Sequence, residues 1–526
     1  MLKKPELDLN PEFLRAFRLM EDSQSSVFIT GKAGTGKSTL LSYFRDKTLK
    51  NTAVLAPTGV AALNIGGQTI HSFFGFKPDI TEEQTVKIAG KLIKRGKTKL
   101  YTELDILVID EISMVRPDLL DCADAFLRTL RHNPHVPFGG VKLVFIGDLY
   151  QLPPVVKSGE RELFSRIYGG HYFFDSKVFK RLRPEFVELE KIYRQKDERF
   201  IKLLNSVRNN SARETELAAL NARYHPHFVP PEDEFFVYLT PTNAKAASVN
   251  GEKLAALPGK PAVYPGAIEG DFDSRLLPTE EELVLKAGAQ IMLLNNDSMG
   301  RWVNGSMGKV VALLPDGVQV ELDDGEIEEV KPFTWNMFNY RYNEELEKIE
   351  TEAAGGFTQL PLKLAWAVTI HKSQGKTFDR LILDLDRGLF ASSQLYVALS
   401  RCRSLEGIIL KTRIQKAHIR CDWRVVRFLT DFQYKKSDEE LPREEKLEVL
   451  RSAIRHGGSV EMIYLRANGE KSKRRVKPLE IADCEFMERS FEGLRALCSL
   501  RKEERVFRID RILELKEVRA DGPEKV

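Results

Sequence analysis

Short apolar runs alternate with amphipathic stretches along roughly the first 160 residues of the chain. Continuous apolar runs of this length are typical of strands buried on both faces of a parallel sheet, and the stretches between them are long enough for helices. The pattern predicts a parallel α/β domain whose functional loops follow the carboxyl ends of its strands. The predicted strands are 27–30, 53–56, 106–109 and 143–146.

A second α/β pattern follows much later and is interrupted by a segment of different character. Residues 251–356 are rich in Gly, Asn and Asp turns and contain strand-like runs such as 291–294 and 317–322. Short strands between frequent turns favour a small β-barrel inserted into the second α/β domain. Around it we predict strands at 237–240, 381–384 and 407–410 and helices at 362–374 and 392–401. The polar stretch 435–445 contains a proline and predicts a linker before a last unit of about 80 residues.

Composition excludes several classes of protein. A chain of 526 residues with 42% hydrophobic and 30% charged residues is neither collagen-like nor wholly disordered. Its net charge of +4 neither requires nor excludes a nucleic-acid partner. Five scattered cysteines without C-x-x-C spacing indicate neither disulfides nor a zinc site. The start lacks a signal-peptide core and no long apolar run occurs, so we expect a cytoplasmic protein without membrane association.

The segment GKAGTGKS at 31–38 matches the pattern G-x-x-x-x-G-K-[ST] directly after the first predicted strand. Its glycines let backbone N–H groups curl around phosphate oxygens, and the following helix adds partial positive charge. Lys37 can bridge the β- and γ-phosphates, and the Ser38 hydroxyl can bind Mg²⁺. The pattern predicts a nucleoside triphosphate site rather than a glycine turn without a ligand. The predicted binding residues are Gly31, Gly34, Thr35, Gly36, Lys37, Ser38 and Thr39.

Two acids end the predicted strand 106–109. Asp110 would hold Mg²⁺ directly or through water, and Glu111 would polarise the attacking water. Acidic residues at the end of a strand are often only solvated side chains at the edge of a sheet. Their position some 70 residues after the phosphate-binding loop favours the catalytic interpretation.

Further motifs occur in a fixed order after the phosphate-binding loop. They are APTGVAALNIGGQTIHSFF at 56–74, GDLYQLPPV at 147–155, IYRQ at 192–195, AVTIHKSQGKTFD at 367–379 and QLYVALSR at 394–401. The ordered set, which covers about residues 27–412, resembles superfamily 1 DNA helicases, specifically the Pif/RecD-like branch. The resemblance implies ATP and Mg²⁺ as cofactors and movement 5′ to 3′ along single-stranded DNA, with unwinding of forked or tailed duplex.

The resemblance also implies a domain organisation. We expect an α/β fold with two RecA-like P-loop motor domains, an inserted SH3-like β subdomain and a small β-rich unit at the end. The predicted boundaries are 1–185 for the first motor domain, 186–250 and 357–415 for the second, 251–356 for the insertion, 416–444 for a linker and 445–526 for the last unit. We expect the chain to act as a monomer.

Three more residues take catalytic roles by resemblance. Gln151 could reach the γ-phosphate or its water, although it could also be a turn amide before Pro-Pro. Arg194 and Arg401 look like the two arginines that such helicases project onto the γ-phosphate, where a planar guanidinium stabilises developing charge. The implied catalytic set is Lys37, Asp110, Glu111, Gln151, Arg194 and Arg401, and Gly375 joins the nucleotide-binding residues.

Nucleic-acid contacts are expected in both motor domains. Short hydroxyl, imidazole and amide groups bind phosphates without reading sequence, and an aromatic ring can stack a base. The candidates are Thr58, His71, Phe73, Thr240, Asn243, Thr369, His371 and Ser373. Core packing remains the alternative for Phe73 and His371. In the insertion Arg301 and Lys309 are either backbone contacts or solvated charges, and the basic region 75–104 is expected to carry the strand-separating wedge.

The last unit looks like a WYL domain, although Glu492-Gly493-Leu494 stands where the Trp-Tyr-Leu triplet would fall. Arg505, Arg508 and Arg511 could have a structural role, bind single-stranded nucleic acid or bind a small regulatory ligand. In one straight strand Arg508 would fall on the face opposite Arg505 and Arg511, so a single patch of all three needs a bend.

A second departure concerns the base. The family commonly has a Gln near its start that reads adenine, but residues 9–14 contain none and Gln24 is the nearby candidate. Other nucleoside triphosphates could therefore be accepted. Two further functions stay open: a nucleic-acid-stimulated ATPase acting as a clamp or RNA remodeller, and a binding protein led by the last unit with the motor as its switch.

Overall fold

The computed structural model describes residues 8–195, 197–231, 233–385, 392–467, 469, 471–486, 489–499 and 502–518. The chain divides into two compact units. The first comprises residues up to 208 and 212–420, and the second comprises 209–211 and the chain from 421 onward. Within the described residues, none of the helices combines the length and the apolar character needed to cross a bilayer.

The first α/β domain is built on a six-stranded parallel sheet of order β3-β2-β4-β5-β1-β6. The strands β1, β4 and β5 are buried along their whole length, which is why they read as continuous apolar runs. Its elements are α1 Pro11–Asp22, β1 Val27–Gly31, α2 Lys37–Lys47, β2 Thr52–Ala56, α3 Gly59–Asn64, β3 Gln68–Thr69, α4 Ile70–Phe74, α5 Glu82–Lys94, α6 Lys99–Thr102, β4 Ile106–Ile109, α7 Pro117–Leu130, β5 Lys142–Ile146, α8 Arg161–Tyr168, α9 Lys177–Leu182 and β6 Glu185–Leu189. All four strands predicted here are confirmed.

Helix α1 is fixed at both ends by side chains. The Asn10 side chain accepts a hydrogen bond from Phe13 N at the helix start. At the other end the buried Lys142 ammonium donates to the carbonyls of Leu19, Met20 and Ser23 at 2.5–2.7 Å. The apolar face of α1 packs on the sheet, which brings the chain start beside the loop after β1.

Strand β6 pairs with β1 in the first sheet, so the predicted start of the second domain at 186 is wrong and this domain begins after Leu189. Its first elements are α10 Glu198–Arg208, α11 Glu214–Asn221, β7 Val237–Thr240 and α12 Asn243–Ala256. The predicted start of the insertion at 251 is also wrong, because α12 runs on to Ala256. The chain then leaves this domain for the insertion. The insertion contains β8 Ala262–Pro265, β9 Ala267–Gly270, β10 Glu282–Leu285, β11 Gln290–Leu293, β12 Met307–Leu314, β13 Gly317–Leu322, β14 Ile327–Val330, β15 Phe333–Asn343, β16 Lys348–Gln359 and β17 Leu362–Leu364.

The insertion is antiparallel, as the turn-rich pattern indicates. Five strands pair in the order β14-β13-β12-β11-β17, and the long β15–β16 hairpin pairs with β9. The predicted boundary at 356 is wrong, because β16 runs on to Gln359 and β17 pairs with β11. The insertion therefore extends through Leu364.

The chain re-enters the second domain with β18 Ala367–Thr369, β19 Leu381–Leu383, α13 Gln394–Leu399 and β20 Ile408–Leu410, and its parallel sheet has the order β18-β7-β19-β20. The predicted helix at 362–374 is wrong. Its residues form β17 in one sheet and β18 in another, followed by a turn, because β11 and β7 each offer backbone partners. The strands at 237–240, 381–384 and 407–410 are confirmed.

The second compact unit contains α14 Trp423–Glu440, α15 Arg443–Arg455, β21 Ser459–Leu465, β22 Lys471–Phe486, β23 Arg489–Cys498, β24 Glu503–Arg508 and β25 Ile512–Val518, with sheet order β24-β23-β22-β21-β25. The predicted linker 416–444 is largely helix α14, so that prediction is wrong. Val425, Leu429 and Ser437 are buried on one side of α14, and Ser437 Oγ donates to Leu513 O at 2.7 Å. These tertiary contacts, rather than composition, make the polar stretch helical.

Candidate active site

The loop between β1 and α2 makes tight turns at two glycines. Gly34 and Gly36 have φ of 81° and 88°, a left-handed conformation that glycine adopts without strain. A Cβ on Gly34 would lie 2.5 Å from Arg194 Cβ, so glycine also permits the approach of the second domain. The Lys37 ammonium donates to Gly31 O at 2.8 Å and Lys32 O at 3.0 Å. Burial lowers the pKa of Lys37, and the carboxylates of Asp148, Glu111 and Asp110 oppose that shift.

The two predicted acids stand at the carboxyl end of β4, facing this loop. Asp110 is buried, and its Oδ1 accepts from Glu111 N at 2.9 Å. Burial raises the pKa of Asp110, although the backbone hydrogen bond and Lys37 favour its ionised form. Burial, and after it the charge of Asp110, raises the pKa of Glu111 to about 7. The pair can therefore hold a divalent cation and accept a proton.

Gln151 is held by hydrogen bonds rather than left as a free turn amide. Its Nε2 donates to Asp148 Oδ2 at 3.1 Å, and its Oε1 accepts from Gln374 Nε2 at 3.2 Å. The same Gln374 amide donates to Glu111 Oε2 at 3.2 Å. Arg208 of α10 completes this network, since Nη2 lies 3.7 Å from Asp148 Oδ1 and the guanidinium stacks on Tyr150 at 3.8 Å.

Gln374 and Arg208 were missed by the sequence analysis. Gln374 had a detectable signal, because it directly precedes Gly375 inside a recognised motif. Arg208 had none, since an arginine at the end of an amphipathic helix looks like a surface residue. Its burial becomes visible only when α10 lies against the loop that carries Asp148.

The two predicted arginines reach the same cavity from the other side. Arg401 is buried and donates to Val397 O and to Ser400 Oγ, both at 2.9 Å. Arg194 approaches Gly375 O at 3.3 Å. Burial and the neighbouring Arg194 lower the pKa of Arg401. Two adjacent guanidiniums form a site that favours a highly charged anion.

A cavity of about 630 Å³ joins these groups. Residues of the phosphate-binding loop meet residues of the second domain in its walls. Its lining consists of Asp8, Phe13, Ala33, Gly34, Thr35, Gly36, Lys37, Ser38, Thr39, Glu111, Gln151, Tyr193, Arg194, Gly375, Thr377, Arg401 and Arg403. Ser38 and Thr39 are exposed at the start of α2, whereas Gln24 is exposed beyond the end of α1 and does not line the cavity.

Phe73 was predicted to stack a base, and the structure corrects this. It is 4% exposed and packs edge-to-face against Phe74, Tyr101 and Tyr340. The apolar alternative prevails because α4 lies between the sheet edge and the β15–β16 hairpin. His71, two residues before Phe73 in α4, is only partly buried. Burial lowers the pKa of His71, so its ring is neutral at pH 7.

The predicted hydroxyl contacts of the second domain serve the backbone instead. Thr240, Thr369 and Ser373 are buried. Thr240 Oγ1 donates to Thr242 O at 3.1 Å, Ser373 Oγ donates to Ile370 O at 2.7 Å, and Thr369 Oγ1 accepts from Lys372 N at 3.2 Å. These side chains shape the turns after β7 and β18, and phosphate binding through them stays a prediction.

The remaining candidates differ in exposure. Thr58 caps α3 by accepting from Ala61 N at 3.3 Å, Asn243 is exposed, and His371 is partly buried with its pKa lowered by burial. In the insertion Arg301 pairs with Asp297 at 2.7 Å and Glu328 at 3.1 Å and stacks on Trp302, so it is a structural residue. Lys309 is partly buried in β12. The region 75–104 forms α5 and α6, and no wedge residue stands out in it.

Comparison with known proteins matches this architecture. A family model described as PIF1-like helicase matches residues 12–217, and a WYL domain model matches 445–517. The human ATP-dependent DNA helicase PIF1 is 37% identical over 418 residues, which cover 77% of this chain and 60% of that protein. The chain thus spans less than two thirds of that relative. The ATP-dependent DNA helicase Pif1 of Bdellovibrio bacteriovorus is 34% identical, over 77% of this chain and 88% of its own length.

Solved structures of Pif1 proteins are similar to this chain in fold and in sequence. Bacteroides sp Pif1 in complex with ADP-AlF4 has a TM-score of 0.74 and 38% identity, covering 82% of this chain and 98% of that one. The Bacteroides Pif1 complex with ADP-AlF3 and ssDNA has a TM-score of 0.58 at the same identity, covering 81% and 98%. The phosphate-binding loop, Glu111 and the two arginines line one cavity, and Asp110 adjoins it through its hydrogen bond from Glu111 N. The chain belongs to the PIF1-like helicase family.

Proposed function

We propose that this protein is an ATP-dependent DNA helicase that moves 5′ to 3′ along single-stranded DNA and unwinds forked or tailed duplex. One observation carries the proposal: a single cavity is lined by the phosphate-binding loop and Glu111 of the first domain and by Arg194 and Arg401 of the second. Gln374 of the second domain also donates to Glu111. A triphosphate bound there would contact both domains. Related proteins named as ATP-dependent DNA helicases support the same activity.

The chemistry follows from the groups that line the cavity. Lys37 and the backbone of the loop bind the β- and γ-phosphates, and Glu111 accepts the proton of the attacking water. Arg194 and Arg401 stabilise the charge that develops on the transferred phosphoryl group. Loss of the γ-phosphate removes the anion that holds these arginines beside the first domain. The cleft then opens, which couples hydrolysis to relative movement of the two domains.

Mg²⁺ fits the residues that are present. This ion is usually bound by one or two carboxylates together with substrate phosphates, rather than by a full protein cage. Asp110, whose carboxylate faces the loop, and the exposed hydroxyl of Ser38 would hold it. The described residues contain no cluster of three or more metal-binding side chains, which agrees with a site completed by the nucleotide. When bound, the ion would neutralise charge on the phosphates.

The DNA path is proposed to run over the loops after β2, β7 and β18. Thr58, His71, Asn243 and His371 retain exposed surface there, while Thr240, Thr369 and Ser373 shape the turns. The solved structure of Bacteroides Pif1 bound to ssDNA supports a single strand as the partner. Contacts of this kind position the DNA backbone without reading the sequence of its bases.

The test is a polarity-resolved unwinding assay. Duplexes with a 5′ tail, a 3′ tail or a fork are incubated with ATP and Mg²⁺, and Lys37→Ala serves as the inactive control. We expect unwinding from the 5′ tail and the fork only. Turnover stimulated by single-stranded RNA but not DNA would favour the RNA remodeller. ATP turnover without unwinding of any substrate would favour the clamp.

A second function is proposed for the second compact unit. A cavity of about 780 Å³ there is lined by residues that include Trp423, Arg427, Asp431, Tyr434, Arg466, Arg508 and Arg511. Arginines beside aromatic rings suit a single strand, which offers phosphates and flat bases. Residues 509–511 form a short 3-10 helix, which provides the bend between Arg508 and Arg511. Arg505 lies outside this lining and pairs with Glu503 at 2.8 Å.

Deletion of residues 421–526 tests this second role. A chain that loses part of its affinity for single-stranded DNA but still unwinds would support an accessory binding site. Unchanged affinity would argue for a structural role or a small ligand. Arg511→Ala and Arg505→Ala form a matched pair, because only the first of these arginines lines the cavity.

A further inference from the structure

Three residues that line the nucleotide cavity, two of them polar, have no part in the proposed hydrolysis. Asp8, Phe13 and Tyr193 line the cavity beyond the phosphate-binding loop. Tyr193 stands beside this loop, since its Cε2 lies 3.8 Å from where a Cβ on Gly36 would be. With the phosphates bound by the loop, these three residues are among the lining residues left to contact the nucleoside end of a triphosphate.

A hydrogen-bonded cluster holds Asp8 in place. Tyr193 donates its hydroxyl to Asp8 Oδ2 at 3.0 Å and accepts from Asn10 Nδ2 at 2.9 Å. The Lys191 ammonium forms an ion pair with the same Oδ2. Asn10 is itself fixed as the N-cap of α1. The carboxylate is therefore oriented by residues from two separate parts of the chain, although it remains 42% exposed.

Phe13 cannot read a base by hydrogen bonding. Its ring is 4% exposed, packs edge-to-face on Tyr43 at 5.6 Å, and offers the cavity an apolar edge only. Gln24, the nearby glutamine, does not line the cavity. The Tyr193 hydroxyl already donates to Asp8 and accepts from Asn10. Among these three lining residues, Asp8 therefore carries the oxygen, Oδ1, that remains available to accept a hydrogen bond from a base.

We propose that the Asp8 carboxylate is the base-reading group of this site and that it selects a base carrying an exocyclic amino group. The proposal rests on the proposed function only in taking a nucleotide as the ligand. In the described part of the chain both contacts of Asp8 fall on Oδ2, so Oδ1 is the atom that accepts from the amino group. Tyr193 supplies a ring face, 42% exposed, against which the base stacks.

The charge state of Asp8 agrees with this role. The hydrogen bond from Lys191 is the largest cause that lowers the pKa of Asp8, and the hydrogen bond from Tyr193 is the next. At neutral pH the carboxylate is therefore ionised, so it can accept hydrogen bonds but cannot donate them. The 6-amino group of adenine is a donor, whereas purine has no group at that position and hypoxanthine presents an acceptor. A carboxylate rejects an acceptor through repulsion and gains nothing from a missing donor.

The experiment measures binding without turnover. Dissociation constants of ADP and purine riboside diphosphate, which differ only in the 6-amino group, are obtained by titration calorimetry for the full chain. We expect the natural protein to prefer ADP by about fivefold, the range of one partly exposed hydrogen bond. Asp8→Ala should bring the ratio close to one, while Asp8→Asn, which keeps an acceptor, should retain part of it.

The control is Glu12→Ala, which removes a carboxylate from the first turn of the same helix but outside the cavity lining. It should preserve the preference. Equal affinities for the two nucleotides in the natural protein, or a preference that survives Asp8→Ala, overturn the proposal. Because hydrolysis and DNA are absent, failure of the helicase function would appear only in the unwinding assay, so the two outcomes stay distinguishable.

Discussion

The side-chain amide of Gln374 bridges the cleft to Glu111, with Nε2 3.2 Å from Oε2. The same nitrogen lies 3.2 Å from Gln151 Oε1, and Gln151 in turn donates to Asp148. A residue of the second domain thus contacts both the proposed general base and the proposed sensor of the first. Opening of the cleft must break these hydrogen bonds, so the orientation of Glu111 depends on the position of the second domain.

Gln374→Ala should lower kcat of DNA-stimulated ATP hydrolysis by about tenfold, because Glu111 and Gln151 both lose a donor. Gln374→Glu should lower it further, since a second carboxylate would stand within hydrogen-bond distance of Glu111. Steady-state kinetics with saturating single-stranded DNA provide the measurement. Gln319→Ala, on an exposed position of β13, is the matched control and should behave as the natural protein. Normal kcat in both Gln374 variants would contradict the bridging role.

Arg401→Ala is expected to lower kcat by about 100-fold, since the guanidinium acts on charge that develops during phosphoryl transfer. Affinity for ADP should change little, which equilibrium titration would establish. Arg401 is buried, so Arg401→Lys serves as a second variant that keeps the charge and tests folding. Arg194→Ala should show the same separation of kcat from binding. A raised KM with an unchanged kcat would mean that these arginines only bind the nucleotide.

Substitutions of Phe73 and of His71 distinguish a role in core packing from a role in DNA contact. Phe73→Leu should lower the free energy of unfolding by about 1 kcal/mol, because it removes ring contacts with Tyr101 and Tyr340, and should leave affinity for single-stranded DNA unchanged. His71→Ala should do the reverse, as its ring is partly exposed on the proposed path. Denaturant titration and fluorescence anisotropy would measure the two effects. A large loss of affinity in Phe73→Leu without loss of stability would restore the stacking role.

Lys363 provides a pH-dependent test. Burial, followed by repulsion from Lys376 and Lys372 against a smaller opposing effect of Glu280, lowers its pKa to about 7. The folded pKa lies below the unfolded one, so the cost of the buried charge is fully present below pH 7 and disappears as pH rises toward 10.5. Lys363→Met should therefore raise Tm by about 2–4 °C at pH 6, with the difference shrinking by pH 10.

The control for this prediction is an exposed lysine. Lys260→Met lies in the loop after α12 and should leave Tm within error of the natural protein at both pH values. Thermal scans of both variants across the pH range would separate loss of a buried charge from a general gain in apolar surface. A pH-independent difference for Lys363→Met would show that its ammonium carries no such cost.

Much of the candidate active site was predictable because the residues of each motif lie close together in the sequence. The glycines of 31–36 need left-handed backbone, and Lys37 and Ser38 follow them at fixed spacing. Acids at the end of a buried strand face the same sheet edge, which placed Asp110 and Glu111 correctly beside the loop. The predicted strands of both parallel sheets were confirmed, since burial on both faces demands continuous apolar runs.

Other features could not be predicted, because they depend on partners distant in sequence. Residues 362–369 form strands only because β11 and β7 offer their edges, and α14 is helical because Ser437 and its neighbours are buried against the last unit. Phe73 is a core residue through Tyr340, which lies in the insertion. The sequence alone thus determined the strands and the positions of the candidate catalytic groups beside them, through local spacing and burial. Only the tertiary structure decided which side chains meet across the cleft, because long-range packing selects among locally equivalent conformations.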